Sequence, residues 1–321
     1  MGLSTRLSVV PFSEKAERYY YGHGNVVEDP ESFRVGAGGH GLATSYIGCD
    51  FEGGMSLVQA CDPPPDYCEA RPDKRAYPLV THHNSSLWLA PSTEGCFDAA
   101  MRLPEGFKRP ASGGVAKAAG RFVFDVWGGT YADIAGDMQR AARYGLTDSM
   151  LLVHNWQRWG YDYRLPDIWP PNSRYGTLED MQRISEVCGE HDIPWGLHDN
   201  YIDIYPDAEE FSYDHVYFTA LGEPRKAWIN RGRQAQSYKF RPDHIMPFVQ
   251  RNLKLIREGV APTAYFIDVF TSAPVVDYYD REGGLHPKTE TQRCWGEVFA
   301  WIRDYLGGDA PQMSEAGDDH L

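Results

Sequence analysis

The segments Ala264-Tyr-Phe-Ile-Asp-Val-Phe270 and Pro311-Gln-Met-Ser-Glu-Ala-Gly-Asp-Asp319 constrain this chain more than any others. Each reads as a short buried strand, and each delivers one carboxylate at its C-terminal end, Asp268 from the first and Glu315 from the second. Between them lies a stretch of helical period, with Trp295, Val298, Phe299, Ile302 and Leu306 on one face and Gly307-Gly308 as its stop. A strand, a helix and a strand in that order make the two strands parallel neighbours. Two carboxylates at the same end of adjacent parallel strands can share one pocket.

The same texture runs back to Arg121. Phe122 to Val126 reads as a strand, and Thr130 as the cap of a helix through Ile134, Met138 and Ala141 that Gly145 ends. Ser149 to His154 is a second strand. Thr177-Leu-Glu-Asp180 resembles a capping box for a helix with Met181, Ile184, Val187 and Cys188 inward. Ile193 to Asp199 is a third strand whose proline suits a strand start. An insertion follows over 201–241, with short strands expected at 214–218 and 227–229, and Asp243 is expected to cap the next helix. Alternating strands and helices imply a parallel sheet. Long connections after the strands, and no glycine-rich fingerprint after the first one, favour an α/β chain of the (β/α)8-barrel type over a doubly wound sheet. Such a barrel takes about 250 residues and eight strands. Five strands fit between Arg121 and Leu321, so the barrel is expected to be incomplete, with the chain truncated at its C-terminus.

Residues 1–115 lack helical period. Short apolar runs (7–10, 41–47, 55–59, 77–81, 86–90 and 96–103) are punctuated by Gly, Pro, Asn and Asp, the pattern of part of a β-sandwich. The small-residue stretch 111–120 reads as a linker. The expected domains are therefore a β-sandwich-like part over 1–115, cut short at its N-terminus, and a barrel part over 116–321. Six cysteines are scattered without a CxxC pair, so neither a disulfide framework nor a zinc signature is expected, and most should be free thiols. A formal net charge of -14 repels nucleic acid and anionic membrane, and no apolar run approaches a span of about 20 residues. The start lacks the apolar core of a secretory signal. Aromatic residues make up 13%, with 9 Trp and 20 Tyr, a supply of flat faces on which sugar C–H faces can stack.

In a barrel of this kind, catalytic residues sit at the C-terminal ends of the strands. Those ends offer Asp125 and Trp127 from the first strand, then His154, Asn155 and Trp156 from the second. The third offers His198, Asp199 and Asn200, the fourth Asp268, and the fifth Glu315 followed by Asp318, Asp319 and His320. Asp268 follows an apolar run, and a partly buried carboxylate is costly without a role or a partner. His198-Asp199-Asn200 suits a clamp on sugar hydroxyls, a hydrogen-bonded packing triad or a metal pair. His154 and Trp156 suit substrate contact or a satisfied core histidine beside an aromatic. Asp125 suits a ligand-contacting acid or a structural salt bridge, and His82-His83 a surface pair. Paired carboxylates are the minimal equipment for cleaving a glycosidic bond. About 5–5.5 Å between them means retention through a covalent intermediate, and about 6.5–9.5 Å means inversion through a water.

The order Phe266-Ile267-Asp268-Val269, then Asp277-Tyr278-Tyr279 and His286-Pro287, then a helix, then Ser314-Glu315-Ala-Gly-Asp318, resembles barrel α-glycosidases. It is most similar to the α-N-acetylgalactosaminidase type of glycoside hydrolase families 101 and 129, over roughly residues 40–321. The resemblance implies a β-sandwich followed by a barrel, and a retaining α-glycoside hydrolase acting on a carbohydrate substrate. It implies Asp268 as nucleophile and Glu315 as acid/base, the negative charge of Asp268 helping to keep Glu315 protonated. Asp125, Trp127, His154, Trp156, His198, Asp199 and Asn200 are the expected substrate contacts, with no cofactor and no metal. Two other classes remain open. One is a metal-dependent barrel hydrolase using His154, His198, Asp199 and Asp268, against which stands the absence of a His-x-His on the first strand. The other is a non-catalytic carbohydrate-binding relative, from which the retention of both acids distinguishes this chain.

Overall fold

The structure is a computed structural model and describes residues 6–7, 14–22, 24–39, 41–82, 84–104 and 112–321. His83 of the expected surface pair, and most of the run 7–10, lie outside the described residues. Among the described residues no helix is long and apolar enough to cross a membrane. The chain forms two compact units. One comprises 1–110, 271–276 and 315–321, and the other 111–270 and 277–314.

The first unit carries strands β1 (Arg6–Leu7), β2 (Ala16–Tyr21), β3 (Val26–Glu28), β4 (Phe33–Gly36), β5 (Tyr46–Phe51), β6 (Ser56–Asp62), β7 (Tyr67–Ala70), β8 (Leu79–Val80) and β9 (Ser86–Ser92), then helix α1 (Cys96–Met101). The strands form two antiparallel sheets, β1-β8-β7-β4 and β3-β2-β5-β6-β9. Tyr19, Ile47, Cys49 and Phe51 from the second sheet and Cys68, Ala70 and Leu79 from the first share one buried cluster, so the sheets face each other as in a sandwich. Tyr77 closes that core. Its hydroxyl accepts a hydrogen bond from the Ala16 N–H at 2.7 Å. The run 96–103 is not the strand expected of it. Ala99 of α1 and Leu103 just after it are buried against Val58, Ala60 and Ala90. All six cysteines are buried free thiols, as their scatter implied.

The short segments 271–276 and 315–321 fall in the first unit because of specific bonds. The Gly39 N–H donates to the Ser272 carbonyl at 2.6 Å. The Asp319 carboxylate accepts from the Ser45 N–H (2.7 Å) and hydroxyl (2.8 Å), and the Asp319 N–H donates to the Ala43 carbonyl.

The second unit begins with α2 (Gly113–Ala118), where a linker was expected. The Ser112 hydroxyl accepts from the Val115 N–H and nucleates the turn. Then follow β10 (Phe122–Val126), α3 (Tyr131–Arg143), β11 (Ser149–Val153), α4 (Leu178–Glu190), β12 (Trp195–Asp199), β13 (Asp203–Ile204), β14 (Lys226–Asn230), β15 (Ala235–Lys239), α5 (Met246–Val260), β16 (Tyr265–Ile267), β17 (Tyr278–Tyr279), β18 (Leu285–His286), α6 (Lys288–Tyr305) and β19 (Gln312–Ser314). Capping boxes at Thr130/Asp133 and Thr177/Asp180 start α3 and α4, and Gly145 at φ 82° ends the first of them. Asp243 does not cap α5. Its carboxylate is held by Arg241 and the Tyr278 hydroxyl, and α5 starts at Met246 with Pro247 in its first turn.

Strands β10, β11, β12, β16 and β19 form one parallel sheet in sequence order, with a helix in each crossover. Sequential order is the winding of a barrel, whereas a doubly wound sheet reverses direction at a switch point. β11 and β12 are buried on both faces, which is why Met150–Val153 and Trp195–Leu197 read as apolar runs without alternation. The insertion folds as a small antiparallel sheet, β13-β15-β14. Of the strands expected there, 227–229 lies within β14, while 213–215 is a 3-10 turn with Val216 and Phe218 in isolated bridges.

Candidate active site

The C-terminal ends of the five parallel strands place the expected residues in a row. Val126 of β10 is in register with Val153 of β11, and Asp199 of β12 with Ile267 of β16, which in turn pairs with Ser314 of β19. Trp127, His154, Asp268 and Glu315 are therefore each the residue that leaves its strand. The Asp268 N–H donates to the Asp199 carbonyl at 2.8 Å and continues the ladder by one residue.

Asp268 and Glu315 leave their strands in the same conformation. The Phe270 N–H donates to the Asp268 carbonyl at 2.8 Å, closing a three-residue turn around Val269 at φ 67°. The Gly317 N–H donates to the Glu315 carbonyl at 2.7 Å, closing an equivalent turn around Ala316 at φ 62°. Turns of this hand are rare and strained, and a β-branched residue at positive φ is an outlier costing on the order of 1–3 kcal/mol. Asp268 is half-buried. Glu315 is exposed, with its Oε2 accepting from the Ser272 hydroxyl at 2.6 Å.

Asp268 belongs to a buried polar cluster. One carboxylate oxygen each of Asp162 and Asp268 and one ring nitrogen of His198 lie within 4.8 Å of one another. His198 Nε2 is 3.0 Å from Asp162 Oδ1. Burial works against a charged His198, but Asp162, Asp268 and Asp199 outweigh it and hold its pKa above the usual histidine value. Its ring lies 5.4 Å from Phe266 in a stacked arrangement and 4.8 Å from Tyr161. Asp199, fully buried, is pushed up to about 6 by desolvation. It accepts from the Tyr265 hydroxyl (2.6 Å) and the Asn200 N–H (2.9 Å). The Asn200 amide nitrogen donates to both Asp162 Oδ2 and Asp203 Oδ2 at 2.9 Å, and its oxygen accepts from the Ile202 N–H at 2.8 Å. Unpaired, such groups would each cost several kcal/mol to bury. Here the amide of Asn200 is bonded at both ends, which locks the cluster into one arrangement.

The other end of the row is built around His154. Its Nε2 lies 2.6 Å from Asp125 Oδ1, and Asp125 Oδ2 accepts from the Trp127 indole N–H at 3.0 Å. The Trp127 ring lies flat on the His154 ring, 3.8 Å between centroids and 10° between planes. Burial and then the neighbouring His198, 4.9 Å away ring to ring, hold the pKa of His154 below its usual value, against the pull of Asp125. Of the seven expected substrate contacts, Asp125 and Trp127 are exposed. His154 is 4% exposed, and Trp156, His198, Asp199 and Asn200 are at most 1% exposed. The Trp156 indole N–H donates to the His198 carbonyl at 2.6 Å, tying β11's end to β12's.

Asp162, Asp203 and Tyr161 were not among the expected site residues. Asp162 sits at φ 45° in the loop between β11 and α4, and Asp203 accepts from the Ser237 hydroxyl of β15 at 2.6 Å. The unusual length of the β11–α4 loop was the only sequence signal for Asp162 and Tyr161, since functional residues concentrate in long loops after barrel strands.

No protein-family model and no curated protein matches this sequence. Solved structures do. The chain superposes on the α-N-acetylgalactosaminidase NagBb from Bifidobacterium bifidum with a TM-score of 0.77 at 16% identity, covering 94% of this chain and 59% of that one. It superposes on the α-galactosidase TtGalA from Thermus thermophilus at 0.63 and 17% identity, covering 99% and 67%. The α-galactosidase AgaB from Geobacillus stearothermophilus matches at 0.61 and 12% identity, covering 97% and 48%. The structural neighbours are thus glycoside hydrolases of the type the two acidic segments resemble, and this chain spans about 59% of the length of the first.

Proposed function

We propose that this chain carries the catalytic row of a retaining α-glycoside hydrolase on an incomplete (β/α)8 barrel preceded by a β-sandwich part, with Asp268 as nucleophile and Glu315 as acid/base. The observation that carries the proposal is the matched exit of the two acids. They follow register-paired residues of adjacent parallel strands, and each opens a strained turn. Strain of this kind persists where the surroundings over-determine it, and functional sites are where it collects. The likeness in fold to α-N-acetylgalactosaminidase and α-galactosidases, whose complexes include GalNAc and an aryl α-galactoside, supports the substrate class, a terminal α-linked galacto-configured sugar.

In this reading Asp268 attacks the anomeric carbon while Glu315 protonates the departing oxygen. A water then attacks the glycosyl-enzyme, and Glu315 takes its proton. The buried cluster of Asp162, His198, Asp199 and Asn200 does not touch the sugar but holds Asp268 in place, with Trp156 packed behind it. The test uses aryl α-galactosides. Asp268→Asn should abolish turnover. Glu315→Ala should spare substrates with good leaving groups, accumulate the glycosyl-enzyme and be rescued by azide. Near-normal activity of Asp268→Asn, or an inverted product, rejects the assignment.

One observation favours a second reading, a metal-assisted hydrolase. The Asp162, His198 and Asp268 ligand atoms converge, and Nδ1 of His198 is buried without a hydrogen-bond partner among the described residues. Elemental analysis of the purified protein, and activity after dialysis against a chelator, separates the two.

A further inference from the structure

We infer that Arg158, Arg164 and Arg233, gathered around Trp159 beside the candidate row, form a subsite for a single oxyanion carried by the substrate, a sulfate ester or a carboxylate on the glycan. The inference names the substrate class of the proposed glycosidase site and rests on that reading for the reaction.

The charge of this chain is unevenly spread. Its formal net charge is -14, yet residues 224–242 hold Arg225, Lys226, Arg231, Arg233, Lys239 and Arg241 and no acidic residue. This stretch is β14 and β15 of the inserted sheet with their flanks. Lys239 is drawn toward the buried Asp203, and Arg241 is paired with Asp243. Arg225, Lys226, Arg231 and Arg233 are exposed and form no ion pair among the described residues. One sign of charge collected in one place raises the local concentration of the opposite sign.

The loop between β11 and α4 brings two more cations to the same place. The guanidinium carbons of Arg158 and Arg164 lie 4.6 and 4.2 Å from the centre of the Trp159 ring. Arg233 reaches across from the β14–β15 turn. Its Nη2 donates to the Trp159 carbonyl at 3.2 Å, and its guanidinium lies 5.2 Å over the Tyr163 ring. Contact with a ring holds a guanidinium by its face and leaves the N–H groups at its edge for a planar or tetrahedral anion. The neighbouring acids do not take those groups up. Glu209 is 3.7 Å from Arg158 and Asp207 is 3.7 Å from Arg164, both beyond hydrogen-bond reach, and Asp207 accepts instead from the Tyr163 hydroxyl at 2.7 Å. Two donors of this group, the Trp159 indole N–H and the Arg164 Nε–H, are buried without a hydrogen-bond partner among the described residues. Buried donors are paired in the great majority of cases, and an oxyanion supplies several acceptor oxygens in one group. The backbone here is strained as well, with Asp162 at φ 45° and Arg164 at φ 54°.

Position ties the subsite to the reaction. The β11–α4 loop and the insertion both leave the C-terminal ends of barrel strands, β11 and β12. Tyr161 follows Trp159 by two residues, at most about 7 Å along the chain. Its ring lies 4.8 Å from that of His198, whose nitrogen is within 4.8 Å of an Asp268 oxygen. A charge held by the arginines therefore belongs to the sugar at Asp268 or to the group attached to it. A polyanion would also meet the negative charge of the rest of the chain, whereas a single oxyanion meets only the local guanidinium groups.

The test uses the full chain. p-Nitrophenyl α-D-galactopyranoside is compared with its 6-sulfate and with p-nitrophenyl α-D-galacturonide, which carry the charge on the cleaved sugar. Phenyl α-D-galactopyranoside is compared with its p-carboxy derivative, which carries the charge on the departing group. Turnover gives KM, and calorimetry in the Asp268→Asn background gives binding of the same compounds. At least one charged compound should bind about ten-fold more tightly than its neutral parent, the scale of one charge-assisted hydrogen bond, and the pair that shows it assigns the charge to the sugar or to the departing group. The advantage should shrink at about 1 M salt. Arg164→Gln and Arg233→Gln should each bring the ratio of charged to neutral affinity toward one, and Trp159→Phe, which keeps a ring and drops the N–H, should lower it less. Melting temperatures are compared for all variants, and Arg233, on an exposed turn, keeps the test open if Arg164→Gln does not fold. Equal losses on charged and neutral compounds are what a structural role gives, and they reject the subsite. A preference that survives both arginine substitutions rejects it too. Hydrolysis of the neutral glycosides with no preference for any charged one rejects the subsite and keeps the glycosidase. Arginine-dependent binding of charged compounds by a protein that hydrolyses none of them keeps the subsite and rejects the glycosidase reading. Neither binding nor hydrolysis rejects both.

Discussion

Asp199 shows how a single buried carboxylate couples the site to pH. Desolvation lifts its pKa from 3.8 to about 6 although two tyrosine hydroxyls, a backbone N–H and His198 all favour its ionised form. Between those two values the folded protein keeps a proton that the unfolded chain has released, so stability falls as pH rises through the window and the full cost is present above it. His198 acts in the same direction. Its pKa is raised, so its contribution is complete below the usual histidine value and is lost as pH rises through the folded one. In Asp199→Asn the carboxylate's share of this dependence disappears. The stability of Asp199→Asn relative to wild type should therefore grow by roughly 2 kcal/mol between pH 4 and pH 7, since each pKa unit is worth about 1.4 kcal/mol and part of the effect has accrued by pH 4. Urea melts at intervals across that range measure it, and parallel curves for the two proteins would remove Asp199 from the account. The strand-end position of Asp199 was legible in the sequence. Its full burial was not, because the tyrosine hydroxyl that covers it comes from Tyr265, 66 positions away.

Strands of the parallel sheet approach closely, and Gly196 is a point where a side chain does not fit without a shift. A Cβ there would lie 2.8 Å from the Ala264 carbonyl oxygen, a backbone atom that cannot rotate away. Gly196→Ala should force β12 from the segment leading into β16 and cost about 1–3 kcal/mol, the range for overpacking. A shift of less than 0.5 kcal/mol in thermal or urea melts would show that the two strands have slack. Activity in the same variant should fall more than stability, because β12 and β16 carry His198 and Asp268. Most of these elements were readable in the sequence for a physical reason. Capping residues at Thr130 and Thr177, glycine at 145 and 307–308, and the apolar runs Met150–Val153 in β11 and Trp195–Leu197 in β12 are local signals. The elements that were misread lacked one. α1 spans Cys96–Met101, too short to show a period, and its apolar spacing is equally that of a strand. β15 carries Gln236 and Ser237, polar side chains that pair with Asp203 and the backbone of β14, and it gives no alternation.

The two-unit organisation depends on bonds that sequence texture does not carry. Residues 315–321 read as the loop that opens after the fifth barrel strand, yet Asp319 binds Ser45, 274 positions away. Bonds from one residue at that separation leave no periodic trace. What the texture did show is the open sheet. β10 is the terminal strand of its sheet, no described strand pairs with its outer edge, and its burial alternates between exposed and intermediate where β11 and β12 are wholly buried. Phe122 and Val123 leave apolar surface on this strand. Unpaired backbone beside apolar side chains is a template for another strand, and natural edges blunt it with lysine, proline or a bulge, none of which occurs in Phe122–Val126. The chain should therefore self-associate at micromolar concentration despite its net charge of -14, since charge is screened at physiological salt. Val123→Lys should shift it toward monomer, with stability unchanged to within about 0.5 kcal/mol because the site is exposed. Sedimentation velocity over a concentration series on both proteins decides the matter. A wild-type chain that stays monomeric throughout and melts in one cooperative step would mean that β10 needs no covering strand, and the incomplete-barrel reading would fall with it.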